Sequence, residues 1–161
     1  MRARAYIETS VVSYLTARPT RSVVAAAWQQ ITASWWSARR ADFDLMISDA
    51  VLQESARGDP EPARRRLEAL VGIPKVMVNA DVERLAARLL ADGGLPPVAY
   101  YDALHVALAA VHRADYLVTW NCRHIDNAER KPLVRTICES NGHRCPEICT
   151  PNELMGDDED A

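Results

Sequence analysis

Four residues of the 161-residue chain carry the functional groups most suited to chemistry: Glu8, Glu54, Asp102 and Asn121. Three are carboxylates and the fourth is an amide. Carboxylates gathered in one place repel one another. Each is costly to bury unless it is paired or bound to a metal. Hard divalent ions take oxygen ligands, and magnesium keeps to a few carboxylates plus water and phosphate oxygens. Held this way, one ion can acidify a water and neutralise charge on a phosphate, and a second, about 3.5–4 Å away, can steady a leaving oxygen. Each residue also has a plainer reading. Glu8 can favour the positive end of the helix that follows it. Glu54 can be an exposed partner of Arg57, three residues on. Asp102 can pair with an arginine, and Asn121 can be an ordinary turn residue.

The elements that would bring the four together can be read from the apolar pattern. Residues 4–7 predict a short strand, with Ser10 placed to cap a helix starting near Val11. Residues 22–40 show helical spacing at Val24, Trp28, Ile31 and Trp35. Base stacking by Trp28, Trp35 and Trp36 is one reading of this stretch; a buried stripe or a subunit contact is the plainer one. Residues 44–48 predict a second strand and 49–56 a helix, which Gly58 and Pro60 end. Residues 61–71 predict a helix, 75–78 a short strand and 81–90 a helix. Residues 98–112 form a strongly apolar helix that contains Asp102. Residues 116–119 read as a buried strand, 131–139 as a helix and 147–149 as a last strand. Strands that alternate with helices imply a three-layer α/β/α fold around a mostly parallel sheet. In such sheets the active crevice lies beyond the carboxyl ends of the strands. Glu8 and Asn121 follow directly on two of these strands, and Glu54 rides the helix that follows a third.

Bulk composition narrows the function classes. Length predicts one domain over residues 1–155, with an acidic, disordered tail over 156–161. The formal charge of −3 excludes a binder that relies on overall basicity, so any nucleic-acid contact must be a local patch. Arg39-Arg40 and Arg64-Arg65-Arg66 are candidates, although solvated helix faces are the plainer reading. No membrane span and no secretory leader are expected, which points to the cytoplasm. Cys122, Cys138, Cys145 and Cys149 lack the paired spacing of structural zinc sites and read as reduced thiols. His105, three residues after Asp102, could shuttle a proton; a packing histidine is the plainer reading. No phosphate-binding glycine loop is present.

Taken in order, these segments resemble a known family. Ile7-Glu8-Thr9-Ser10-Val11 resembles the opening strand-and-turn motif of PIN domains, and residues 48–54 the second acidic motif. Asp102-Ala103-Leu104-His105-Val106-Ala107 resembles the third, and Leu117-Val118-Thr119-Trp120-Asn121 the fourth. Thr150-Pro151-Asn152-Glu153-Leu154 resembles the closing segment. The resemblance implies a PIN-like metal-dependent endoribonuclease that uses magnesium or manganese. Small members resemble VapC-type toxins of bacterial toxin–antitoxin pairs, which implies an RNA substrate, an antitoxin partner and a homodimer. The same resemblance makes Glu8, Glu54 and Asp102 metal ligands supported by Asn121. Thr9 or Ser10 would hydrogen-bond near Glu8, and Arg123, His124 and Asn127 would lie where RNA enters. Glu8 stands where aspartate is usual, and Asn121 where a fourth acid is common. Two other readings remain: a PIN-like module that binds nucleic acid or protein without cutting, and a nuclease that acts on DNA.

Overall fold

The computed structural model describes residues 1–157; the acidic tail falls mostly outside the described residues. The chain opens with strand β1 (Ala3–Ile7), helix α1 (Thr9–Thr16) and the long helix α2 (Val23–Ala38). A short 3-10 turn over Arg40–Asp42 leads into β2 (Phe43–Ser48), α3 (Asp49–Ser55) and α4 (Pro60–Ala69). Next come β3 (Lys75–Val76), α5 (Ala80–Ala91), α6 (Tyr100–Val111) and β4 (Tyr116–Val118). The described residues finish with α7 (Lys131–Ser140), β5 (Glu147–Cys149) and a 3-10 turn over Pro151–Leu154.

The five strands form one sheet in the order β3-β2-β1-β4-β5, and every pairing is parallel. Ala5 pairs with Leu45 on one side and with Tyr116 on the other, so β1 is the central strand. Its neighbours β2 and β4 lie on opposite sides and are reached by connections of very different length. That makes the carboxyl ends of β1 and β4 a topological switch point, where open α/β sheets build their crevices. Ala5, Tyr6 and Ile7 are all fully buried although alternate side chains face opposite ways, so helices cover both faces of the sheet.

The expected elements are present, with changes at their ends. Glu8 caps α1, and the helix already includes Ser10, which was expected to cap it. Strand β3 has only two residues, because Met77 and Val78 leave the sheet edge and are 57% and 46% exposed. Helix α6 starts at Tyr100, two residues later than the apolar run suggests, after Pro96 and Pro97. The tryptophans serve packing. Trp35 is fully buried, Trp28 stacks on Trp120 with centroids 4.7 Å apart, and Trp36 lies under the Arg40 guanidinium. Arg64 and Arg65 are held by Glu61, Arg64 also by Glu68, and Arg66 donates to the Ser55 and Arg57 carbonyls, so this triplet is engaged locally. Among the described residues no helix is long and apolar enough to cross a membrane.

Asp115 ties the amino ends of the strands. Its Oδ2 accepts from the Arg4 backbone N–H at 2.8 Å and its Oδ1 from Arg144 at 2.7 Å. The Arg4 hydrogen bond, and then Arg144, hold its carboxyl below the usual aspartate range. A lowered folded pKa stabilises above the unfolded value of about 3.9 and is lost as pH falls through the folded value. Asp115→Asn should therefore lower stability at neutral pH. The gap to the wild-type protein should close as pH drops below about 4, as thermal denaturation across a pH series would show.

Candidate active site

Glu8 stands one residue beyond β1 and is 5% exposed. Its backbone N–H donates to the Val118 carbonyl at 3.0 Å, which carries the β1–β4 ladder to the sheet's end. Its side chain folds back over the first turn of α1. Oε2 accepts from the Ser10 backbone N–H at 3.1 Å, and Oε1 accepts from the Ser10 hydroxyl at 2.5 Å and from Thr119 Oγ1 at 2.6 Å. A carboxylate buried this deeply is costly unless donors such as these surround it.

Glu54 comes from α3. Ser48 caps that helix, and Ala50, Val51 and Ser55 turn its inner face to the core. This face carries Glu54 to the mouth of the crevice. Its Oε1 accepts from Thr9 Oγ1 at 2.7 Å and from His105 Nε2 at 2.5 Å. Burial pushes its carboxyl up, but the hydrogen bond and electrostatic attraction of His105, then the Thr9 hydrogen bond and the nearby Arg57 charge, outweigh this and hold it below the usual glutamate range. Arg57 itself lies over the Tyr101 ring, 4.7 Å from its centroid, and makes no ion pair with Glu54.

Asp102 opens α6 in its first turn, where the helix dipole favours a carboxylate. Its Oδ1 accepts from Asn121 Nδ2 at 3.2 Å, and its Oδ2 lies 2.9 Å from His124 Nδ1. The Asn121 backbone N–H donates to Thr119 Oγ1 at 2.9 Å. Thr119 therefore joins the Asp102–Asn121 pair to Glu8.

The acids thus form two neighbouring groups. One ligand atom each of Glu8, Glu54 and His105 lie within 4.8 Å of one another. Asp102 is not in that group; it stands with Asn121 and His124 at the mouth, 18% exposed in its side chain. Thr9 bonds Glu54, whereas Ser10 takes the place near Glu8 that the sequence suggests for either. Arg123, His124 and Asn127 line a cavity of about 480 Å³ with Arg130 and Leu133, reached from Asp102 through His124. Sequence reasoning passed over Thr119, whose hydroxyl is the junction of both groups. Its signals were its place at the end of a buried strand and its position within the fourth motif segment, where it carried no assigned role. His105 is fully buried and bonded at both ring nitrogens, more than the packing role its sequence position suggests.

The donor set fits a hard divalent cation. Among the described residues none of the three acids pairs with Lys or Arg; the ion-pair contacts of Glu54 and Asp102 are to histidines. Glu8 and Glu54 are held close all the same, and both present oxygen. A cation between them would relieve their repulsion.

A parallel α/β/α fold with acids at its switch point suits metal-assisted chemistry on phosphates. A family model described as the PIN domain matches residues 5–129, and the chain belongs to the PIN domain family. Membership brings metal-dependent nuclease chemistry with it, and the acidic cluster is where that metal would sit. No curated protein matches the chain.

Thr119→Val would leave the Asn121 N–H and a lone pair of buried Glu8 without partners. The expected cost is about 1–3 kcal/mol of unfolding free energy. Thr119→Ser should recover most of it, as paired urea denaturation curves would show.

Proposed function

We propose that the chain is an endoribonuclease that uses magnesium or manganese, and the toxin of a type II toxin–antitoxin pair. On this reading it works in the cytoplasm as a homodimer and is silenced by its antitoxin. The observation that carries the catalytic part is the approach of Glu8 and Glu54 with no Lys or Arg partner among the described residues, beside the Asp102–Asn121 pair. The toxin part is supported by the ordered motifs from Ile7 to Leu154. Exposed apolar side chains at the start of α2, Val23 and Val24, supply surface for a second copy or an antitoxin.

Glu8, Glu54 and Asp102 would hold the ion. When bound, it supplies Lewis acidity that favours attack of water on phosphorus and offsets charge on the departing oxygen. The protein's part is positioning. Ser10 and Thr119 fix Glu8, Thr9 and His105 fix Glu54, and Asn121 and His124 fix Asp102. Arg123 and Arg130 form no ion pair among the described residues and line the cavity beside His124. Their guanidinium groups suit the phosphates on either side of the scissile bond. No side-chain nucleophile is needed. The nearest thiol, Cys122, is pushed up by desolvation and by the charges of Asp126 and Glu153, which keeps it protonated and poorly nucleophilic.

Labelled RNA and DNA versions of one oligonucleotide pool, incubated with manganese, magnesium or chelator, test this reading. Metal-dependent cutting of RNA that is lost in Asp102→Asn is the expected result. Equal cutting of DNA would remove the RNA assignment. Absence of cutting by folded, antitoxin-free protein would favour a binding module. For RNA binding by the metal-free protein, Arg123→Ala and Arg130→Ala should each weaken affinity uniformly across sequences. Each should also lower the slope of log affinity against log salt by about 0.7.

A further inference from the structure

His105 is fully enclosed, and both of its ring nitrogens are bonded. It is 0% exposed, as is Tyr6, and Ser48 beyond them is 1% exposed. Its Nε2 lies 2.5 Å from Glu54 Oε1 and its Nδ1 2.7 Å from the Tyr6 hydroxyl. That hydroxyl is 2.7 Å from Ser48 Oγ, which accepts from the Val51 N–H at the start of α3. A carboxylate oxygen only accepts, so the hydrogen in the Glu54 contact sits on Nε2. With that nitrogen donating, Nδ1 is free to accept from Tyr6, and Tyr6 from Ser48. Every donor then points the same way, from the amino end of α3 round through α6 to the carboxylate near the other end of α3.

Both donors that reach Glu54, Thr9 and His105, meet the same oxygen, Oε1. Oε2 has no hydrogen bond among the described residues. We propose that His105 is a positioning residue for Glu54: it donates from Nε2 in a tautomer set by Tyr6 and Ser48, so that Glu54 presents Oε2 to the cation. It follows that His105 is not itself a ligand, although its Nε2 lies within the metal-competent group. Both ring nitrogens are engaged, and the donors left at that group are oxygens, the set that magnesium and manganese prefer. The inference rests on the reading of Glu54 as a cation ligand.

The test is manganese affinity, read by the electron paramagnetic resonance signal of free manganese, on the wild-type protein and on E54Q, H105L, H105Q and Y6F. A nitrogen–proton NMR spectrum of His105 in the metal-free protein accompanies it. Loss of a group that orients a ligand costs about 10- to 100-fold in metal affinity. H105L should show that loss, and H105Q, whose amide can donate to Oε1, should recover most of it. Y6F should weaken binding less and release the tautomer, while the wild-type spectrum shows the hydrogen on Nε2 alone. Y6F and the wild-type spectrum decide the matter if H105L does not fold. Weak binding in E54Q with wild-type affinity in Y6F and in folded H105L would overturn the proposal, as would a hydrogen found only on Nδ1. Wild-type affinity in E54Q would remove the Glu54 reading itself, and this proposal with it.

Discussion

The structure depends on keeping the Glu8 carboxyl group almost out of water at the end of its central strand. Such a group is tolerated only if donors surround it. Those donors come from two places, the first turn of α1 and the residue after β4. Satisfying Glu8 therefore fixes how α1 leaves the sheet and how the chain turns beyond β4. The same turn delivers Trp120 and Asn121, and through Asn121 it holds Asp102. The hydrogen bonds that offset the burial of Glu8 thus belong to the same network that aims Asp102.

Much of this was legible in the sequence. The strands are short apolar runs between polar turns, and their carboxyl ends could be placed within a residue or two. That sufficed to put Glu8 and Asn121 at one crevice and Glu54 on the helix after β2. The closeness of Glu8 to Glu54 rests on the parallel order of β1 and β2, which alternation of strands and helices already implied.

What stayed hidden has physical causes. Ser10 is the better helix cap by type, but Glu8, one residue past the strand, accepts the Ser10 N–H and takes the cap position, and the Ser10 hydroxyl is spent donating to Glu8. In α6 the run from Ala103 to Ala110 is buried on every side, so periodicity gives no inward direction. Spacing of three residues lets Asp102 and His105 share one face of the helix. The helix instead turns His105 fully into the core toward Tyr6, and leaves Asp102 near the surface with His124. Side-chain hydrogen bonds between distant segments, such as Thr119 to Glu8, have no signature in a single sequence.

The Trp28–Trp120 stack has an optical consequence. The Trp120 backbone N–H donates to Ser10 Oγ, and its indole N–H to buried Thr32 on α2. Its ring is 5% exposed and lies parallel to Trp28, with interplanar angle 14°. The Trp120 backbone is thus joined through the Ser10 hydroxyl to Glu8 and directly to its chain neighbour Asn121, while the indole is anchored on Thr32. Any rearrangement of those side chains reaches a chromophore whose emission depends on its ring contacts. The protein carries its own fluorescent gauge of how its carboxylates are arranged, with no label added.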